Sequence, residues 1–220
     1  MLLGVAMPHT WAPDSVTPQI ALQRLIDGNR RFREGNGVNS SKAWDPKLAS
    51  APQRPFAIIL GCSDSRTPVE TLFDQGFGDL FVVRVAGNIV APSIVGSIEF
   101  AASEFGTRLV VVMGHTRCGA IGATLRALDT GMGPESKNIR DITDRIGPHI
   151  ESLPRGGDPV QLMSQAVRAN VTASTDHLRH GSRLLEELVS GNRVAIVGAE
   201  YELDTGIVHF FDTRAVYVNR

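Results

Sequence analysis

The sequence is short of cysteine: its 220 residues include two, Cys62 and Cys118. Two cysteines form at most one disulfide, so a disulfide-stapled fold is excluded. Long apolar runs are missing as well. None approaches the roughly 20 residues that span a bilayer. The apolar start, Met1 to Met7, has no basic region ahead of it and meets Pro8, His9 and Trp11 at once, which makes a poor secretory signal. Met7 serves as well as Met1 as a start. An excess of charge of one sign is also lacking: 22 basic residues stand against 23 acidic ones, a formal charge of -1. Bulk charge therefore gives no ground for nucleic acid or an anionic membrane as partner. There is no internal repeat, no low-complexity segment and no linker dividing the chain. The expectation is a single domain over residues 1–220, with an N-terminal arm and helix over about 1–37.

What is present is an alternation of apolar runs and helical periodicity. Thr17-Pro18 starts a helix, with a capping hydroxyl followed by proline at the first helical position. Ile20, Leu22, Leu25, Ile26 and Phe32 come next at mostly helical spacing until Gly35 and Gly37. This helix packs either on its own core or on a partner subunit. Residues 36–55 read as loop. Strands are expected at about 56–61, 79–86, 108–114 and 193–198, with a last one at 207–211 after the Asp204-Thr205-Gly206 turn. Helices are expected at 68–73, 93–105, 118–128, 136–152 and 159–190. Strands alternating with helices give an α/β fold with a mostly parallel central sheet, one antiparallel edge strand and helices on its flanks. No Gly-rich phosphate loop comes after the first strand, which counts against a nucleotide-binding protein.

Both cysteines stand directly after strands. Phe56-Ala57-Ile58-Ile59-Leu60 leads into Gly61-Cys62-Ser63-Asp64-Ser65-Arg66. Leu109-Val110-Val111-Val112-Met113 leads into Gly114-His115-Thr116-Arg117-Cys118-Gly119. Open α/β sheets bind ligands beyond the carboxyl ends of their strands, so the fold brings Cys62, His115 and Cys118 together. A lone cysteine after a strand is most often a small core residue, and Asp-Ser is most often turn chemistry. Both strand ends carry ligand-type residues at once, which favours a site. Two thiolates and an imidazole suit tetrahedral zinc, with a fourth position left open. Cysteines read as thiolates also fit a reducing, cytoplasmic location. In an extended segment Cys62, Asp64 and Arg66 share a side. Asp64 then either closes the zinc site as fourth ligand or accepts a hydrogen bond from water on zinc. Arg66 favours the second role by holding the carboxylate in a bidentate pair.

Taken together, Cys62-Ser63-Asp64-Ser65-Arg66 and His115-Thr116-Arg117-Cys118-Gly119 resemble the β-class carbonic anhydrases. So do Phe81 to Asn88, Gly96 to Phe100 and Gly198 to Tyr201, and the resemblance runs from about residue 17 to 212. It implies Zn2+ on Cys62, His115 and Cys118, an Asp64–Arg66 catalytic dyad, and reversible hydration of carbon dioxide to bicarbonate and a proton with hydroxide on zinc as nucleophile. It implies a homodimer, often doubled to a homotetramer, with the N-terminal helix lying across the partner. It places Gln53 where part of the family has a glutamine that reaches the neighbouring chain's active site. Rival readings are a hydrolase of carbon disulfide or carbonyl sulfide on the same scaffold, and a non-catalytic zinc module closed by Asp64. His9, His149, His177, His180 and His209 have no motif context, so none is assigned as proton shuttle. One departure matters. Some bacterial members have a tryptophan shortly before the first zinc cysteine, part of an inhibitory bicarbonate pocket; that position is Ile59 here.

Overall fold

A computed structural model describes residues 16–38 and 45–217; Met1, Met7, Pro8, His9 and Trp11 lie outside them. The first helix, α1 (Pro18–Arg33), starts where Thr17 Oγ1 accepts the Ile20 amide at 3.3 Å. Arg30, Arg31 and Arg33 crowd its last turn, the end favourable for cations. Its Ala21, Leu22 and Leu25 are buried in the chain's own core beside Ile59, Val111 and Val197. Gly28 allows this closeness, because a Cβ there would stand 1.8 Å from the Phe73 carbonyl oxygen. The buried Asn29 amide gives to the Leu72 and Gly206 carbonyls and takes the Val208 amide, so both ends of that side chain are matched. Ala21, Leu22 and Leu25 thus pack on the chain's own sheet, while Ile20 and Ile26 of the same helix stay exposed.

A short helix, α2 (Pro46–Ser50), stands in a stretch expected to be loop. Asp45 caps it through the Lys47 amide at 2.8 Å, with Pro46 at the first position. Strand β1 (Ala57–Gly61) and the one-turn α3 (Val69–Leu72) come next, then β2 (Leu80–Arg84) and a 3-10 turn over Ala86–Asn88. After these stand α4 (Pro92–Glu104), β3 (Leu109–His115), α5 (Gly119–Thr130) and α6 (Lys137–Ile150). The helix expected at 159–190 is two, α7 (Pro159–His180) and α8 (Arg183–Ser190). The chain breaks at Gly181, and Ser182 Oγ caps the new helix by accepting the Leu185 amide at 3.2 Å. Strand β4 (Ala195–Tyr201) runs three residues past its expected end before β5 (Val208–Phe211) and a last 3-10 turn, Thr213–Val216.

The five strands form one sheet in the order β2-β1-β3-β4-β5. All neighbours are parallel except the β4–β5 pair, which makes the antiparallel edge. Strands β1, β3 and β4 are buried along their whole length, as continuous apolar runs covered on both faces require. One face packs on α1 and α3; the other packs on α4, α7 and α8 through Ile58, Leu60, Val110, Val112 and Ile196. A third apolar cluster caps the carboxyl ends of β1 and β3, built from α5, α6 and α7 around Cys62 and Cys118. The chain leaves β1 in one direction for β2 and returns across it to β3. That reversal opens the crevice where ligands gather in sheets of this order.

Candidate metal centre

Cys62 stands directly after the last residue of β1, His115 is the last residue of β3, and Cys118 is the cap residue of α5. The chain between His115 and Cys118 must turn sharply, and Arg117 sits in the left-handed region at φ +57° to make that turn. A bulky side chain is uncommon there. The conformation is held from outside: the Thr116 amide gives to the Tyr201 carbonyl, Thr116 Oγ1 accepts the Leu203 amide, and Arg117 pairs with Asp204 at 2.7 Å. The end of β3 is thus pinned to the end of β4.

The three donors converge. Cys62 Sγ and Cys118 Sγ are 4.0 Å apart, and both lie within 4.8 Å of the His115 ring donor. Two thiolates on one tetrahedral zinc, at Zn–S of about 2.3 Å, stand about 3.8 Å apart. A disulfide needs sulfurs about 2 Å apart, so the pair is two thiols. His115 Nδ1 faces the Thr116 carbonyl oxygen at 2.9 Å. That oxygen only accepts, so Nδ1 carries the proton and Nε2 presents a lone pair. Nε2 is buried and has no hydrogen-bond partner. An orphaned buried acceptor costs about 1–3 kcal/mol; a cation held between it and the two sulfurs removes that cost. The donor set, its burial and the fixed tautomer all fit zinc.

The electrostatics agree. The hydrogen bond from the Cys118 thiol pulls Cys62 down to about 4, against burial and with help from the Gly87 amide, which lies 3.3 Å from the sulfur. Cys118 is pushed up, first because its proton is the one shared with Cys62 and then by burial. A divalent cation replaces that shared proton, and metal binding at such a pair releases protons.

Asp64 and Arg66 come together through a turn beyond the strand, and not along the shared side that an extended segment would give them. The Thr67 amide gives to the Asp64 carbonyl at 3.0 Å, and Asp64 Oδ1 accepts the Arg66 amide at 2.9 Å. This local bonding is what aspartate favours in turns. The Arg66 fork then engages both carboxylate oxygens, Nε to Oδ1 at 2.9 Å and a terminal nitrogen to Oδ2 at 2.8 Å. Those bonds hold the Asp64 carboxyl well below the usual carboxylate range and raise the Arg66 pKa in return. Asp64 Oδ2 lies 3.9 Å from His115 Nε2, at the rim of the donor set. Gln53 is not part of this assembly. It is exposed and precedes the amino end of β1, the opposite end from Cys62.

Sequence reasoning missed Arg84. From the end of β2 its guanidinium gives to the Cys62 carbonyl at 3.0 Å and the Asp64 carbonyl at 2.7 Å, fixing the loop that carries both side chains. A charge closing the apolar run Leu80-Phe81-Val82-Val83 was the available signal.

A family model described as carbonic anhydrase matches residues 57–208. Carbonic anhydrase 2 of Mycobacterium tuberculosis is 36% identical over 201 residues, 91% of this chain and 93% of that protein. A carbonic anhydrase of Mycolicibacterium smegmatis is 40% identical over 192 residues, 87% of this chain and 92% of that protein. Among solved structures, the β-carbonic anhydrase CcaA superposes with a TM-score of 0.70 at 26% identity, covering 87% of each chain. With a mostly parallel sheet that ends in a Cys-His-Cys cluster, the chain belongs to the β-class carbonic anhydrase family.

Proposed function

We propose that this chain catalyses the reversible hydration of carbon dioxide to bicarbonate and a proton, with zinc held by Cys62, His115 and Cys118. One observation carries the reading: the buried, unpartnered Nε2 of His115 faces two cysteine sulfurs beside a carboxylate locked by arginine. Zinc bound there supplies Lewis acidity, making hydroxide available near neutral pH. Cys62 and Cys118 bring two negative charges that offset much of the metal's own, so the site is a milder Lewis acid than one built from neutral imidazoles.

Asp64 is the acceptor in this reading. Its carboxylate takes a hydrogen bond from the attacking water's remaining O–H, which turns the lone pair towards carbon. Arg66 keeps the carboxylate ionised and aimed. With both oxygens engaged by Arg66, Asp64 is better suited to accepting than to ligating, which supports an open fourth position. Val85 and Ile89 belong to the apolar cluster that holds both cysteines and supply an apolar wall for a substrate that has no hydrogen to donate. We read the chain as a subunit of a homodimer or homotetramer, with Gln53 acting at the neighbouring subunit's site. Free thiols suit the cytoplasm. No helix among the described residues is long and apolar enough to cross a membrane.

The test is stopped-flow carbon dioxide hydration on purified protein with zinc measured on the same sample. Hydration that scales with zinc content, up to one zinc per chain, is expected. A fully zinc-loaded protein without hydration overturns the reading.

Bicarbonate gives a second test. Ile59 is wholly buried in the α1-side core and has no indole N–H to offer. A ligand shifts an equilibrium only through different affinities for its two states, and here the donor that creates the difference is missing. Initial rate against bicarbonate, at constant pH and ionic strength, is expected to show simple product inhibition. A sigmoidal curve would mean that another residue replaces the tryptophan.

A further inference from the structure

We propose that Asn170 is a positioning residue of the metal centre, acting on Cys62 through Gly87; this rests on the zinc reading above. Asn170 lies in the middle of α7, 1% exposed, on the helix's buried stripe with Val167, Val171 and Ser174. Its Nδ2 gives to the Gly87 carbonyl at 2.9 Å, and its Oδ1 faces His149 Nδ1 of α6 at 3.4 Å. The side-chain amide has a donor and an acceptor, and this place uses both.

Gly87 is where the force is transmitted. Its amide gives to Cys62 Sγ at 3.3 Å. It sits at φ +70°, and a Cβ would lie 2.8 Å from Ile146 Cδ1 and 3.1 Å from Ala120 Cβ, so glycine alone fits. A glycine has no side chain to fix its own dihedrals and moves freely through this region. It is gripped instead at both ends, by the sulfur on its amide and by Asn170 on its carbonyl. Asn170 therefore holds the turn in the one geometry that aims N–H at the thiolate. That bond fixes the direction of the sulfur, so that it stays turned towards Cys118 and His115. Hydrogen bonds to a ligand of this kind typically govern zinc affinity by about 10- to 100-fold.

The experiment is zinc competition between the holoprotein and a chromophoric chelator at fixed pH, for wild type, Asn170→Leu and Ser174→Ala. Leucine matches asparagine in size but makes neither bond. Ser174 is equally buried on the same helix, and its Oγ reaches the Asn88 carbonyl at 3.4 Å, one residue beyond Gly87. Asn170→Leu is expected to lose about 10- to 100-fold in zinc affinity, while Ser174→Ala stays near wild type. In cobalt-substituted protein the sulfur-to-metal charge-transfer band is expected to move to lower energy in Asn170→Leu only. If leucine does not fold, by far-ultraviolet circular dichroism, Asn170→Ala removes the same two bonds without bulk and carries the same expectation. A folded variant with wild-type zinc affinity and an unmoved band overturns the proposal. Wild type and Cys118→Ser holding zinc equally well would overturn the zinc reading itself, a different outcome.

Discussion

A Cys118→Ser variant is expected to emerge with far less than one zinc per chain and with carbon dioxide hydration reduced in proportion. Among the described residues Cys62, His115 and Cys118 are the one group of three donors that meets the geometry of a metal site. A serine hydroxyl stays protonated at neutral pH and is a poor replacement for a thiolate. Structural zinc held by thiolates and imidazoles in zinc-finger peptides is worth about 10–16 kcal/mol at neutral pH, which sets the scale here. Losing one of three ligands removes about a third of that, roughly 3–5 kcal/mol. The loss corresponds to about two to four orders of magnitude in zinc affinity. Folding is expected to survive, because serine is nearly the shape of cysteine and the cap position of α5 keeps its backbone. Metal analysis with circular dichroism on the same sample checks both halves. A folded variant that keeps its zinc and its rate would remove Cys118 from the ligand set.

The ligands were legible because metal chemistry needs rare residue types at places that a sheet supplies openly. Continuous apolar runs mark β1 and β3 as buried strands, and the residues just after such a strand lie at the ligand end of the sheet. The turn at Asp64 was legible from Asp-Ser, but its detail was less so. The i, i+2 spacing would set Asp64 and Arg66 on one side of an extended segment, yet Asp64 takes the Arg66 amide and bends the chain within two residues. Aspartate's habit of bonding its own backbone was the competing signal, and it won. The break between α7 and α8 was hidden for a related reason. The apolar period resumes after Gly181 with little loss of phase, and a helical glycine costs only about 1 kcal/mol. Only the cap made by Ser182 reveals the stop.

Arg84 and Asn170 lay further out of reach. Periodicity places Asn170 on the buried face of α7, but nothing in the sequence says which carbonyl its amide meets. Its partner Gly87 is 83 residues away. Contacts of that kind are set by how α7 lies over the sheet, which depends on packing across several elements at once. The donors that bind a metal are thus easier to read in a sequence than the groups that aim them.

Asp64→Asn is expected to lower carbon dioxide hydration by about 10²- to 10³-fold at neutral pH, the usual scale for one well-placed polar group at a reacting centre. Zinc content is expected to stay at one per chain, which separates an acceptor from a fourth ligand. Arg66→Ala is expected to cost less, about tenfold, for a reason visible in the pair. Arg66 holds the Asp64 carboxyl far below its ordinary pKa through two side-chain bonds and one backbone bond. Removing the guanidinium lets that pKa rise towards the ordinary value of about 3.9. The carboxylate still carries its charge at neutral pH, so the variant loses aim and keeps the acceptor. The pH dependence has a definite sign. A depressed carboxyl keeps its interactions above its ordinary pKa and loses them as pH falls through the lowered one. Arg66→Ala should therefore show an additional loss on approach to about pH 4, below the fall that protonating the nucleophile gives both proteins, where wild type shows no such further step. Asp64→Asn has no carboxyl to titrate and lacks that part of the acid limb. The measurement is kcat/KM against pH for all three proteins, with zinc measured alongside. Near wild-type rates in both variants would leave the dyad without a role. Equal losses at neutral pH would mean that Arg66 acts on substrate or proton directly, since at that pH its effect on the charge of Asp64 is already spent.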